Sequence, residues 1–200
     1  MAPEGAEKTE AGQIPAVVAE PPKPLILLVL RLLAFLATAA ATVVMALNKE
    51  SKTLVVATIG STPVTATLTA EFQHTPAFVF FVVANAVASF HNLLVLVLDF
   101  CGQKLDYKGL RLLMIPILDM MVIALLSGGA TAAAFMSELG KNGNSHARWN
   151  KICDKFNTFC DHGGGALIAS FIGLGLLLVI AVMSIITLQK LKITTCQAVP

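Results

Sequence analysis

Two stretches decide the fold: LILLVLRLLAFLATAAATVVMAL at residues 25–47 and LLMIPILDMMVIALLSGGATAAAFM at residues 112–136. The first is 23 residues long and carries a single charge, Arg31. At a helical rise of 1.5 Å per residue it reaches about 34 Å, enough to cross a hydrocarbon core about 30 Å thick. The second is as long and carries a single charge, Asp119, three residues after Pro116. A third apolar run, 76–98, is broken only by Asn85, Ser89, His91 and Asn92, and a fourth, 165–188, has no charge. None shows the two-residue alternation of a membrane barrel. Inside lipid only a helix satisfies its own backbone hydrogen bonds, so the expectation is an all-α membrane protein, a bundle of four transmembrane helices occupying 25–188.

Composition agrees. Of 200 residues, 56% are hydrophobic and 13% charged, and the mean hydropathy is +0.78. A soluble domain carries about 25% charge, so a water-soluble globule is excluded and the lipid bilayer is the expected partner. A net charge of +2 with 6% aromatic residues excludes a nucleic-acid-binding surface. The run at 25–47 is too long for the apolar core of a signal peptide, about 7–15 residues, and reads as a retained helix. Residues 1–24 hold Pro3, Pro15, Pro21, Pro22 and Pro24 among several glutamates and read as a disordered cytosolic tail; 189–200 read as a short cytosolic tail. Three loops remain, 48–75, 99–111 and 137–164, none large enough for an enzyme domain.

An even number of spans puts both termini and loop 99–111 on one side. Lys104, Lys108 and Arg111 crowd that short loop, and Lys190 and Lys192 follow the last span, so this side reads as cytosolic. Cys153 and Cys160 share loop 137–164 on the opposite side, where an oxidising compartment would join them. The disulfide is the favoured reading, although Trp149, Ile152, Cys153, Phe156, Phe159 and Cys160 also repeat at helical spacing, which two free thiols on a short helix would explain. A bond between them would need a break near Asn157–Thr158, because Cα atoms seven apart in a helix are separated by about 10.5 Å. A zinc site using His146 or His162 is a third possibility. Cys101 and Cys196 lie near span ends on the cytosolic side, as palmitoylation would require.

Arg31 lies six steps into the first span and Asp119 seven into the third, both roughly 9–10 Å from the cytosolic end. A lone charge at mid-span costs at least about 2.5–3.5 kcal/mol, so an interhelical ion pair is the expected solution. Snorkelling of Arg31 alone is the alternative. Asn92 falls at the same depth, and Asn85, Ser89 and Asn92 form one stripe expected to face the bundle, with Arg31, Thr38 and Thr42 as its counterpart. His91 is rotated by roughly 120° from that stripe and is expected to stay out of the cluster. Such a polar layer serves either to lock packing or to bind a transported solute; with no inverted repeat or interrupted half-helices, packing is favoured.

Gly165, Ala169 and Gly173 recur every fourth residue in the fourth span, and Ser127–Ala130 and Ala132–Ala134 are small in the third. These read as close-packing surfaces, within one bundle or between copies. Gly163–Gly165 reads as a turn at a loop–helix junction. The sequence holds no phosphate-binding loop, nucleophile elbow or metal-spaced His/Glu helix, so neither catalysis nor a metal or other cofactor is expected.

The arginine of span one and the aspartate of span three, the segment PAFVFFVVANA at 76–86, and LDMMVIALLSGGATAAAF, ELGKNGN and WNKICDKFNTFC between 118 and 160 together resemble the Casparian strip membrane domain proteins, within the CASP-like group of plants, distant relatives of the MARVEL tetraspan proteins. The resemblance covers roughly 25–195. The first outer loop, 49–75, lacks the signature stretch of the strip-forming members. The resemblance implies a non-enzymatic, multi-pass plasma-membrane scaffold that assembles as homo- or heterodimers or larger arrays with CASP-like relatives. For the founding members it also implies recruitment of cell-wall-modifying enzymes. A small channel or transporter using the polar layer is the alternative function.

Overall fold

The computed structural model describes residues 24–101 and 110–197. The expected disordered tail up to residue 23, the basic stretch 102–109 and the side chains of Cys101 and Cys196 lie outside the described residues. Four helices run α1 (Pro24–Leu47), α2 (Pro76–Cys101), α3 (Leu110–Asn142) and α4 (Asn157–Gln197). All four are long and apolar enough to cross a membrane. Their contacts close a ring, α1 beside α2, α2 beside α3, α3 beside α4 and α4 back against α1.

The helices outrun the hydropathic spans. α3 continues past Met136 to Asn142, and α4 starts at Asn157, before the apolar run, and continues to Gln197, within the expected C-terminal tail. Hydropathy measures how much of a helix fits in lipid, whereas the backbone stays helical until a breaker ends it. For α3 that breaker is Gly143, at φ +66, where an added Cβ would sit 2.7 Å from the Trp149 carbonyl oxygen. Gly163–Gly165, read above as a turn, lie inside α4. Propensity disfavours three glycines by about 1 kcal/mol each, and the packing of a 41-residue helix overrides it.

The connection 48–75 is more than a loop. β1 (Lys49–Ile59) and β2 (Thr62–Glu71) form an antiparallel hairpin, followed by a 3-10 turn at Phe72–His74. Gly60 at φ +65 and Ser61 make its two-residue turn, a backbone position that glycine takes without strain. The pairing shifts by one residue between Val55 and Ala57, a bulge at Val56.

Two apolar clusters fill the bundle. One, at the hairpin end, gathers Met45, Phe78, Phe81, Phe156, Phe159 and Leu167; the other gathers Ala34, Ala88, Val122, Leu126, Leu177 and Ile180. Lipid-facing positions such as Leu36, Phe90, Met121 and Ile172 are about half exposed or more, as expected of a bundle whose outer solvent is hydrocarbon.

Small residues set the helix spacing, and of the four-residue repeat Gly165, Ala169 and Gly173 only Gly173 lies at such a contact. A Cβ on Gly173 would lie 2.7 Å from Thr38 Cγ2, so α1 and α4 touch there. A Cβ on Gly129 would lie 2.8 Å from Ala84 Cβ, so α2 and α3 touch there. Ala169 is half-buried, and Gly165 has open space where its side chain would be. The packed face of α4 is instead Gly163, Ala166, Ser170, Gly173, Leu177 and Ile180, at alternating steps of three and four. A strict step of four drifts off one face, because a helix turns in 3.6 residues.

Candidate functional site

Asp119 is fully buried on α3, at the end of the bundle away from the hairpin. Arg31 of α1, 5% exposed, meets it in a two-pronged fork, Nη1 to Oδ1 at 3.1 Å and Nη2 to Oδ2 at 2.7 Å. The planar guanidinium matches the carboxylate edge to edge, the strongest hydrogen-bonded ion-pair geometry available to side chains. His91 of α2 completes the group, its Nε2 lying 2.7 Å from Oδ1. An ionised carboxylate only accepts, so Nε2 carries the proton in this contact. One carboxylate thus ties three helices together.

The place of His91 overturns the sequence expectation. A single inward stripe per helix suffices only for a helix with one neighbour. In a closed ring α2 has two neighbours, and its buried residues form one arc about 120° wide rather than a narrow stripe. Asn85 and Asn92 lie at one edge of it, Phe81, Ala88 and Val95 in the middle, and Ala84 and His91 at the other edge. His91 shares the depth of Asn92 and Asp119, and that shared level was the available signal.

Asn85 and Asn92 are fully buried, whereas Ser89 is half-buried at the margin. Each asparagine donates through Nδ2 to the carbonyl four residues back, Phe81 O at 2.9 Å and Ala88 O at 2.8 Å. Thr38 and Thr42 likewise donate to Ala34 O and Thr38 O, each at 2.8 Å. These side chains therefore serve their own helices. Among the described residues, Oδ1 of both asparagines and Oγ of Ser170 find no protein partner. The polar groups form two levels, the charged one at Asp119 and a neutral one of Thr38, Asn85 and Ser170 between the apolar clusters.

The hairpin end has its own clamp. Phe159, in the first turn of α4, offers a backbone N–H with no partner inside the helix. Glu50 Oε2 accepts it at 2.8 Å, and Asn48 Nδ2 donates to the Phe159 carbonyl at 2.7 Å. A carboxylate at this helix end is also favoured by the helix dipole. The Glu50 carboxyl is held below its ordinary value of 4.5, first by hydrogen bonding with Lys52 and then by the Phe159 N–H. Neither Asn48 nor Glu50 stood out in the sequence, because each acts on the backbone of a residue more than a hundred positions away.

Cys153 and Cys160 are disulfide-bonded, with Cα atoms 5.7 Å apart. No continuous helix joins them. A bridge between Asn144 and Trp149 and a turn at residues 152–155 precede α4, and only Cys160 is helical. The periodicity from Trp149 to Cys160 thus does not mark a helix, and the free-thiol and zinc readings of this pair fall with it. Among the described residues no three His, Cys, Asp or Glu groups are placed to hold a metal ion. Between the hairpin base, the end of α3 and the disulfide turn lies an open groove of about 1170 Å³ lined by Leu68, Phe78, Trp149, Phe156 and Ile168, among others.

Residues 20–176 match the Casparian strip membrane protein domain. The chain is similar to CASP-like protein 1B1 of Populus trichocarpa, 72% identical over 84% of this chain and 86% of that protein. It is 64% identical to CASP-like protein 1B1 of Ricinus communis over 90% and 89% of the two chains. It is 63% identical to CASP-like protein 1B2 of Arabidopsis thaliana over 80% and 81%. No solved structure matches. A domain match that spans α1 to α3 and the first half of α4, over a four-span bundle held by the Arg31–Asp119 clasp, leaves one conclusion: this multi-pass membrane protein belongs to the Casparian strip membrane protein family, among its CASP-like members.

Proposed function

We propose that the protein is a non-enzymatic organiser of plasma-membrane domains that assembles with itself and with CASP-like relatives and holds position in the plane of the membrane. The observation that carries this reading is the use of the intramembrane charge. Arg31, His91 and Asp119 are spent on one another inside the bundle, which suits a rigid, permanent unit. A transport site would instead keep such groups facing a path for a solute. The disulfide supports an orientation with the hairpin outside the cell and both termini in the cytosol, because a Cys153–Cys160 bond persists only in an oxidising compartment. The outer surface would then be the hairpin and the disulfide turn, the parts able to meet wall-modifying proteins.

Fluorescence recovery after photobleaching of a tagged copy in plant cells tests the reading. Slow recovery, with copurification of two differently tagged copies, is expected. Fast recovery of a monomeric protein overturns it. Solute flux in reconstituted vesicles, abolished by Asp119→Asn in a protein that still folds, would establish transport instead.

A further inference from the structure

We propose that the free edge of β2 in one copy pairs with the free edge of β1 in a second copy of this chain. Neighbouring molecules would then join head to tail through a shared antiparallel sheet. The proposal rests on the self-assembly reading above and names its interface.

The hairpin is a two-stranded sheet, so each strand leaves one edge of backbone N–H and C=O groups unpaired. Along the basal half of the hairpin Ser51, Thr53 and Val55 of β1 and Thr65, Thr67 and Leu68 of β2 are exposed, Val55 at 61% and Leu68 at 44%. An isolated two-stranded hairpin is marginal in water, and a third strand with an apolar face is what ordinarily makes one stable. A neighbour can supply it. Every copy inserts in the membrane with the same topology, so all the hairpins emerge on one side at one level.

Charge selects the pairing. β1 carries Lys49, Lys52 and Glu50, a net +1, and β2 carries only Glu71, a net −1. β1 against β1, or β2 against β2, sets like charge beside like; β2 against β1 sets Glu71 beside a neighbour's Lys49. That contact already exists within the hairpin, where Lys49 Nζ lies 3.1 Å from Glu71 Oε2. The register extends in the same way. Ser51 pairs with Thr69 and Thr53 with Thr67, their hydroxyls 2.8 and 3.1 Å apart, and Leu54 and Leu68 lie on the opposite face. A neighbour's β1 in the same register prolongs both faces, hydroxyl beside hydroxyl and aliphatic beside aliphatic. The bulge at Val56 and Pro63, which lacks an N–H, confine the pairing to the basal half, residues 49–55 against 65–71. Head-to-tail pairing leaves a free edge at each end of a pair, so it extends to further copies, in rows or in rings.

Site-directed crosslinking tests this in membranes. One tagged copy carries Thr53→Cys, a differently tagged copy carries Thr67→Cys, and the two are co-expressed and oxidised. Within each copy the native outer cysteines are bonded to each other, so the added thiol has its nearest expected partner in the neighbour. A mixed crosslink, absent when either variant is expressed alone, is the expected result. A crosslink from either variant alone, as strong as the mixed one, refutes head-to-tail pairing. Copurification of the two tags without any crosslink discards the hairpin interface and leaves self-assembly standing; loss of both discards both. Thr67→Lys supplies a second arm. It is expected to lower copurification severalfold with an unchanged melting temperature, and undiminished copurification counts against the proposal.

Discussion

Replacing Asp119 with asparagine should be among the most damaging single-atom changes this protein can suffer. Asp119 accepts three hydrogen bonds, two from Arg31 and one from His91, at 2.7–3.1 Å. Asparagine keeps the shape but turns one acceptor into a donor, which then faces either the guanidinium or the imidazole. Arg31, 5% exposed, is left as a buried charge without a counter-charge. Breaking a buried ion pair from one side costs about 3–5 kcal/mol. For a chain of this size about 1 kcal/mol moves the melting temperature by 2–4 °C, so the expected loss is on the order of 6–20 °C. The assay is heating in detergent micelles followed by size-exclusion of a fluorescent fusion. Exchanging the partners, Arg31→Asp with Asp119→Arg, restores the ion pair but turns the imidazole against a guanidinium, so only part of the loss returns. Adding His91→Leu to the exchanged pair removes that clash and should recover more. Replacing the clasp by Arg31→Met with Asp119→Leu should cost less than either single change, because no charge is stranded. An Asp119→Asn protein that melts with the wild type, or an exchange with no recovery in either background, refutes the idea that one carboxylate binds three helices.

Gly129→Val and Gly173→Val each push a side chain into a gap of under 3 Å and should destabilise by about 1–3 kcal/mol in the same assay, whereas Gly165→Ala, with open space around it, should be neutral or stabilising. Reducing the Cys153–Cys160 bond should lower the melting temperature, and in intact cells those thiols should label with an impermeant maleimide only after reduction; labelling without a reductant contradicts the bond. The folded-state pKa of Glu50 is depressed, so its contribution is present above 4.5 and is lost as pH falls through the depressed value. Hydrogen exchange at the Phe159 amide should therefore accelerate on acidification in the wild type and be fast at every pH in Glu50→Leu; equal protection in both at neutral pH would discard the clamp.

The four helices were legible because lipid imposes a one-dimensional test, length and apolarity, that a sequence passes or fails without reference to its neighbours. The level of Arg31 and Asp119 followed from the same count of helical steps. The hairpin left a signal as well, two β-branched runs around Gly60–Ser61, but nothing apolar enough to compete with the spans. What depended on neighbours was not readable. His91 joins Asp119 because α2 is held between two helices, and which two is a property of the ring. Gly173 and Gly129 matter, and Gly165 does not, because only packing says which face of a helix meets another. Asn48 and Glu50 act on Phe159 across the whole chain, a contact that exists only once the ends of α1 and α4 have been brought together. Local periodicity and hydropathy determined that this chain crosses a membrane four times and where its buried charges sit along each helix. The tertiary structure alone decided which groups those charges meet, because rotation about each helix axis and the order of helices around the ring are set by side-chain packing between elements distant in sequence.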